Sequence, residues 1–138
     1  LRRSSAASDV YKRQELRPNN KDGYKFKKSY PYPTGENTLG LNCLNDCNFN
    51  YPSKYSKFLL RGYGHVSTFS TKKGINGLYD MGGNVWEWVD INDNSYKGTK
   101  GGSWWYGKNQ MIQGYNATKP KNMSAVYIGF RCVKDFEY

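Results

Sequence analysis

Residues 76–90, NGLYDMGGNVWEWVD, constrain the fold more than any other stretch of this chain. Two acids, Asp80 and Glu87, lie on either side of two consecutive glycines, and Trp86 and Trp88 flank the second acid. The glycines allow a tight backbone turn. The alternation that follows them predicts a β-strand over residues 84–90. A turn that carries acids and leads into an aromatic strand is therefore the first element of the fold.

Composition limits the classes of protein to which the chain can belong. Its 138 residues are enough for one domain with one core. Mean hydropathy is −0.89, yet 17% of the residues are aromatic, and a disordered chain would be poor in aromatics. No apolar run approaches the roughly 20 residues that a membrane helix needs. We expect a polar folded domain without a membrane span.

The positive charge is spread along the chain. Residues 1–14, LRRSSAASDVYKRQ, resemble translated adaptor sequence, so we assign the domain to residues 15–138. The formal net charge is +10, and the lysines of the domain form neither a stripe nor a known RNA-binding motif. We therefore expect a solvated basic surface and no nucleic-acid partner.

The chain shows few helical patterns and three candidate strands, at residues 84–90, 101–106 and 126–133. In the third, Val126, Ile128, Phe130 and Cys132 alternate on one face. KNQMIQGY, residues 108–115, predicts one or two helical turns. The pattern predicts an irregular α+β domain in which long loops cover a small antiparallel sheet.

Long loops need a stabilising cross-link, and a metal ion or a disulfide could supply it. Calcium takes six to eight oxygen ligands, and Asp80 and Glu87 could provide the charge. The spacing of an EF-hand is absent. The alternative is a surface turn before an amphipathic strand, with Glu87 in a salt bridge.

The three cysteines leave two alternatives open. Cys43 and Cys47 are close enough in sequence to form a small disulfide in an oxidising compartment, which would leave Cys132 unpaired. A zinc site would combine all three with His65, although the spacing matches no common zinc motif. The compartment stays open, with a periplasmic or extracellular location slightly favoured.

Three motifs carry a family resemblance. NGLYDMGGNVWEWVD, KGGSWW and YIGFRCVKD resemble the formylglycine-generating enzyme family, also called the sulfatase-modifying factor family, in its order and spacing over residues 74–135. The N-terminal portion of that family has no counterpart here. The resemblance implies that residues 15–138 are the C-terminal part of a domain with a loop-rich C-type-lectin-like fold.

The resemblance also implies a calcium site. Its ligands would be the side chains of Asp80 and Glu87 and the backbone carbonyls of Gly83 and Val85. A second calcium site of the family, near Asn42, is expected to be lost or altered.

Departures from the family's pattern argue against its oxidase chemistry in this chain. Its active enzymes oxidise a protein cysteine to formylglycine and bind copper(I) through two cysteines after the GGS motif. Tyr106 and Met111 stand at those positions here, and tyrosine is a poor replacement for a thiolate. We therefore expect no copper and assign no catalytic residue, and a formylglycine-generating oxidase remains the alternative function.

The preferred interpretation is a non-catalytic, calcium-stabilised binding or interaction domain. Its peptide, protein or glycan ligand is not identified by the sequence. Aromatic side chains can stack on sugars or peptides, although core packing is the alternative for Trp104. The candidate binding residues are Ser103, Trp104, Trp105, Tyr106 and Tyr115.

Overall fold

The chain forms a small sheet surrounded by loops. A computed structural model describes residues 29–44, 47, 64–91 and 93–132. Four strands lie in the order β3-β2-β1-β4: β1 (Trp86–Val89), β2 (Tyr96–Lys100), β3 (Ala117–Pro120) and β4 (Ile128–Gly129). Within the described ranges, the only helical element is one 3₁₀ turn, Lys108–Met111. The predicted adaptor tail, residues 1–14, lies outside these ranges.

The sheet is mixed, which corrects the expectation of an antiparallel sheet. β1 pairs with β2 and β2 pairs with β3 in antiparallel register. β4 runs parallel to β1, with Trp86 opposite Ile128. The loop-rich character is confirmed, and the described residues contain no α-helix. None of their helical segments is long or apolar enough to cross a bilayer.

The three predicted strands have different outcomes. The first is confirmed at its centre, as β1. The second, residues 101–106, is wrong because Gly101 and Gly102 adopt φ angles of 90° and 72°, which turn the chain away from the sheet. Within residues 126–132 of the third, β4 accounts for two residues, and residue 133 lies outside the described ranges; Val126 and Phe130 are 52% and 77% exposed. Their alternation therefore did not mark a buried face.

β2 and β3 were missed because neither shows an apolar alternation. Their sequences, YKGTK and ATKP, are polar, and a proline ends the second. β3 lies at the edge of the sheet, where a proline is tolerated because its missing N–H breaks no ladder bond. Gly98 of β2 is buried, and a methyl there would lie 2.7 Å from Cγ2 of Val89.

Sulfur atoms form part of the core. Cys43 and Cys47 form a disulfide, as one of the two alternatives predicted, whereas Cys132 is free and exposed. The Cys47 Sγ lies 3.9 Å from the Met111 Sδ, and because a disulfide sulfur carries no hydrogen this is a packing contact. The pairing removes the thiolates that the zinc alternative required. Leu41 and Tyr32 complete this cluster.

Residues 83 and 84, which we call the crossing segment, connect loops that are distant in sequence. Gly83 donates its N–H to the Gly101 carbonyl at 2.8 Å, and Asn84 donates its N–H to the Asn42 carbonyl at 2.8 Å. The Asn84 side chain exchanges two hydrogen bonds with the Val66 backbone, at 2.9 and 3.2 Å. Three loops thus meet at one buried turn.

The turn requires a left-handed backbone. Gly83 and Asn84 have φ angles of 75° and 61°, and Asp80, three residues earlier, has 58°. Glycine adopts such angles freely, and asparagine and aspartate tolerate them better than other residues. A methyl at Gly83 would overlap the Asn42 carbonyl oxygen and lie 3.0 Å from its carbon.

We predict that Gly83→Ala destabilises the fold by about 2–5 kcal/mol, from left-handed strain and from the overlap with Asn42. Gly114→Ala is the matched control because Gly114 also has a positive φ, 86°, with no atom within 4 Å of the added methyl. The control should lose only about 1–2 kcal/mol. Urea unfolding measures both, and equal losses would show that the contact with Asn42 does not matter.

Candidate functional site

Asp80 organises the loop before the crossing segment. Its carboxylate is buried and accepts hydrogen bonds from the Thr71 hydroxyl at 2.6 Å and from the Phe69 N–H at 3.0 Å. Phe69 has a left-handed φ of 67°, so the second bond holds a residue in an unfavourable conformation. Both oxygens of Asp80 therefore have donors from the chain itself.

Glu87 makes the closest ion pair at this site. On β1 its carboxylate accepts three contacts from Arg131: two from Nε, at 3.0 and 2.9 Å, and one from Nη2, at 2.6 Å. The same Nη2 donates to the Tyr79 carbonyl at 2.9 Å. The side chain of Glu87 is 13% exposed and that of Arg131 is 26% exposed. This is the salt bridge that the sequence left open as the alternative to calcium, and it joins β1 to the residues after β4.

The four predicted calcium ligands are close in sequence but engaged differently. Gly83 is buried in the crossing segment, and Val85 is half-buried just before β1. The Glu87 oxygens face a guanidinium, whose positive charge opposes a second cation at the same place. As folded, this donor set does not fit calcium unless Arg131 moves away. In the described part of the chain, no three His, Cys, Asp or Glu side chains group as a metal site.

Six aromatic rings form a continuous series, which we call the aromatic cluster. Adjacent ring centroids lie between 4.9 and 6.1 Å apart, mostly in edge-to-face or tilted geometry. Such pairs contribute roughly 0.5–1.5 kcal/mol each beyond the burial of their area. The rings follow each other in space in the order Tyr115, Trp86, Tyr106, Tyr127, Trp105 and Trp104.

The predicted binding residues divide into a buried floor and an accessible face. Ser103 and Trp104 have no exposed surface, and the Ser103 hydroxyl accepts a hydrogen bond from the Trp105 N–H at 3.3 Å. Trp105 and Tyr106 are half-buried, and Tyr115 is 40% exposed. Only the last three can contact a ligand at the surface of this fold.

Lys119 adds a positive charge to the cluster. From β3 its Nζ lies 5.6 Å from the Trp86 ring centroid and 5.5 Å from that of Tyr106. Partial burial, and then the neighbouring Tyr106 with which it hydrogen-bonds, raise the pKa of the Tyr127 phenol, and Lys119 partly offsets the shift. The accessible face therefore combines ring surfaces with an ammonium and two neighbouring phenols.

Tyr106 and Met111, which the family resemblance aligns with copper-binding cysteines, pack against other side chains. The Tyr106 ring contacts Trp86 and Tyr127, at 5.4 and 5.7 Å between centroids. Met111 is 1% exposed and packs against the Cys43–Cys47 disulfide through Cys47. Neither side chain provides a thiolate.

Three residues of the site were missed from the sequence. Arg131 lies in the GFR motif, and the need of Glu87 for a partner was the available signal. Tyr127 precedes that motif, but nothing in its surroundings indicated a contact with Tyr106. Lys119 carried no signal, because its strand, β3, has no recognisable pattern.

Comparison with known families confirms the resemblance. A model of the sulfatase-modifying factor enzyme 1-like domain matches residues 15–136. No match is found among curated proteins. The matched range includes the crossing segment, the whole sheet and the aromatic cluster. The chain belongs to the sulfatase-modifying factor enzyme 1-like domain family, and this membership implies a C-type-lectin-like fold.

Proposed function

We propose that this chain is a non-catalytic binding module that holds a saccharide against the accessible face of the aromatic cluster. The carrying observation is the continuity of the rings from the fully buried Trp104 to the exposed Tyr115. The buried rings hold the accessible ones in place, so a ligand would order few side chains on binding. Tyr and Trp also combine an apolar ring with a polar tip, which suits the mixed surface of a sugar.

A saccharide is favoured over a peptide by the edges of the sheet. A peptide commonly binds by adding a strand to an exposed edge, which must offer a row of free N–H and C=O groups. Here one edge is β3, which ends in Pro120, and the other is the two-residue β4. Among the described residues, neither edge offers a long row of free backbone groups to a peptide, whereas stacking needs only ring surface.

The alternative function is a formylglycine-generating oxidase, and family membership supports it. Ser103 of the GGS motif is present, but its hydroxyl is buried and bonded to the Trp105 N–H. Tyr106 and Met111 replace the copper thiolates. This residue set supports binding better than oxidation.

We also propose calcium binding at Asp80, Gly83, Val85 and Glu87, on the condition that Arg131 first releases Glu87. Calcium and Arg131 compete for Glu87, because both are cations and Arg131 already contacts both carboxylate oxygens. The intramolecular pair is present at a high effective concentration, whereas the ion must be recruited from solution. We therefore expect Arg131 to hold Glu87 in the isolated domain.

We predict that Trp105→Ala weakens saccharide binding about tenfold or more, corresponding to about 1.4 kcal/mol of lost stacking. Isothermal titration calorimetry with neutral and acidic oligosaccharides measures the affinity. Phe69→Ala is the control, because Phe69 is 73% exposed and pairs with Tyr79 outside the cluster. Absence of binding by every oligosaccharide would overturn the saccharide proposal, and binding of an unstructured peptide alone would replace it.

A second prediction tests whether Arg131 or calcium neutralises the Glu87 carboxylate. The melting temperature of the wild-type protein should be the same in calcium and in chelator, because Arg131 already compensates Glu87. Arg131→Met should lower stability by about 1–3 kcal/mol and make the melt respond to calcium, because it leaves the Glu87 carboxylate unpaired. Arg131→Met with Glu87→Gln is the control and should lose that response. A wild-type melt that rises with calcium would contradict this and establish the metal site expected from the sequence.

A third prediction concerns oxidation. The purified protein, supplied with copper(I) and oxygen, should leave a cysteine-containing sulfatase peptide unchanged, since Tyr106 and Met111 supply no thiolate. Mass spectrometry reports the aldehyde, and an active formylglycine-generating enzyme serves as the positive control. Detection of the aldehyde would favour the alternative function.

A further inference from the structure

Lys119 is placed unusually for a surface lysine. It is half-buried on β3, and its ammonium lies over two rings of the aromatic cluster, Trp86 and Tyr106. The ion pairs of Lys97 with Asp90 and of Arg131 with Glu87 do not involve Lys119. Its charge is therefore balanced by ring faces and solvent, and not by a carboxylate.

Ring faces compensate an ammonium only in part. A cation over an aromatic face is attracted by the ring quadrupole, but the N–H groups that point away from the ring still need acceptors. Charge-assisted bonds to an oxyanion are roughly twice as strong as bonds between neutral groups. An anionic group is thus the partner that Lys119 is best suited to bind.

Two phenols extend this polar spot. Tyr106 and Tyr127 pack edge to face at 5.7 Å, and their side chains share a hydrogen bond. The phenol of Tyr127 is protonated at physiological pH, as that of an ordinary tyrosine is, and partial burial raises its pKa further. Trp105 contacts Tyr127 at 5.7 Å between centroids, so stacking surface continues directly from these donors.

We propose that the aromatic cluster selects an acidic saccharide, whose carboxylate or sulfate binds Lys119 with help from Tyr127 while its ring stacks on Trp105. This inference rests on the proposed saccharide-binding function and adds the class of ligand. A neutral sugar can use the ring surface, but only an acidic sugar also compensates the ammonium. The preference for acidic over neutral sugars is thus assigned to one side chain.

The test compares galactose-based trisaccharides that are neutral, carboxylated or sulfated, titrated by calorimetry. The wild-type protein should bind at least one acidic trisaccharide about tenfold more tightly than the neutral one. Lys119→Met keeps the apolar stem against the rings and removes the charge, so the ratio of acidic to neutral affinity should fall to about one in this variant. Lys119→Arg should retain the preference.

A general effect of the +10 net charge must be separated from a local one. Lys121→Met removes the same charge from an exposed residue two positions away and should leave the acidic preference intact. Tyr127→Phe should reduce the preference by a few-fold without changing net charge, and it provides the test if Lys119→Met fails to fold. The carboxylated and sulfated ligands together identify which oxyanion fits.

The outcomes distinguish the two proposals. Equal affinity for neutral and acidic trisaccharides in the wild-type protein overturns the role of Lys119 but leaves saccharide binding established. An acidic preference that falls equally in Lys119→Met and Lys121→Met shows general electrostatics and also overturns it. If no trisaccharide binds, both proposals are wrong.

Discussion

The fold depends on the hydrogen bonds of the crossing segment. Loops this long have little regular structure to hold them, so their buried backbone groups need partners from elsewhere in the chain. Residues 83 and 84 supply these partners in a left-handed turn that is tight enough to contact several segments at once. Gly83 is required by space and Asn84 by its amide, which pairs with a backbone N–H and C=O as another peptide would. The hydrogen-bond partners of the crossing segment belong to four residues, Asn42, Val66, Gly101 and Trp104.

The same bonds position the aromatic cluster. The Trp104 N–H donates to the Asn84 carbonyl at 2.9 Å, which brings the GGSWW segment against the start of β1. The Trp86 N–H donates to the Tyr127 carbonyl at 2.8 Å, which brings the chain before β4 to the same place. The rings thus come from segments more than 40 residues apart, and each segment is fixed by a backbone bond beside its aromatic residue. A rigid support of this kind lets half-exposed rings keep their relative orientation without a ligand.

The sequence predicted the parts of the structure that local patterns determine. The turn at residues 80–83 and strand β1 follow from glycines and alternation, and the Cys43–Cys47 pairing follows from proximity. The patterns failed at β2 and β3, whose polar residues are in strands because β2 pairs with β1 and β3 pairs with β2, and not because of their own preference. For the same reason Lys119 could not be connected with Trp86, since the register of β3 had to be known first. Whether an aromatic residue is buried floor, like Trp104, or accessible face, like Trp105, likewise depends on tertiary packing.

Two kinds of cation could close the loops around Glu87. A guanidinium and a calcium ion can both neutralise the carboxylate and bind a backbone carbonyl, as Arg131 does with Tyr79. Coulomb energy scales with both charges, so a divalent ion near the guanidinium is repelled twice as strongly as a monovalent cation at the same distance. Of the two acids in the predicted calcium site, Asp80 then remains, and its oxygens already accept hydrogen bonds from Thr71 and Phe69. The cation that contacts Glu87 in this structure is Arg131, which belongs to the chain itself.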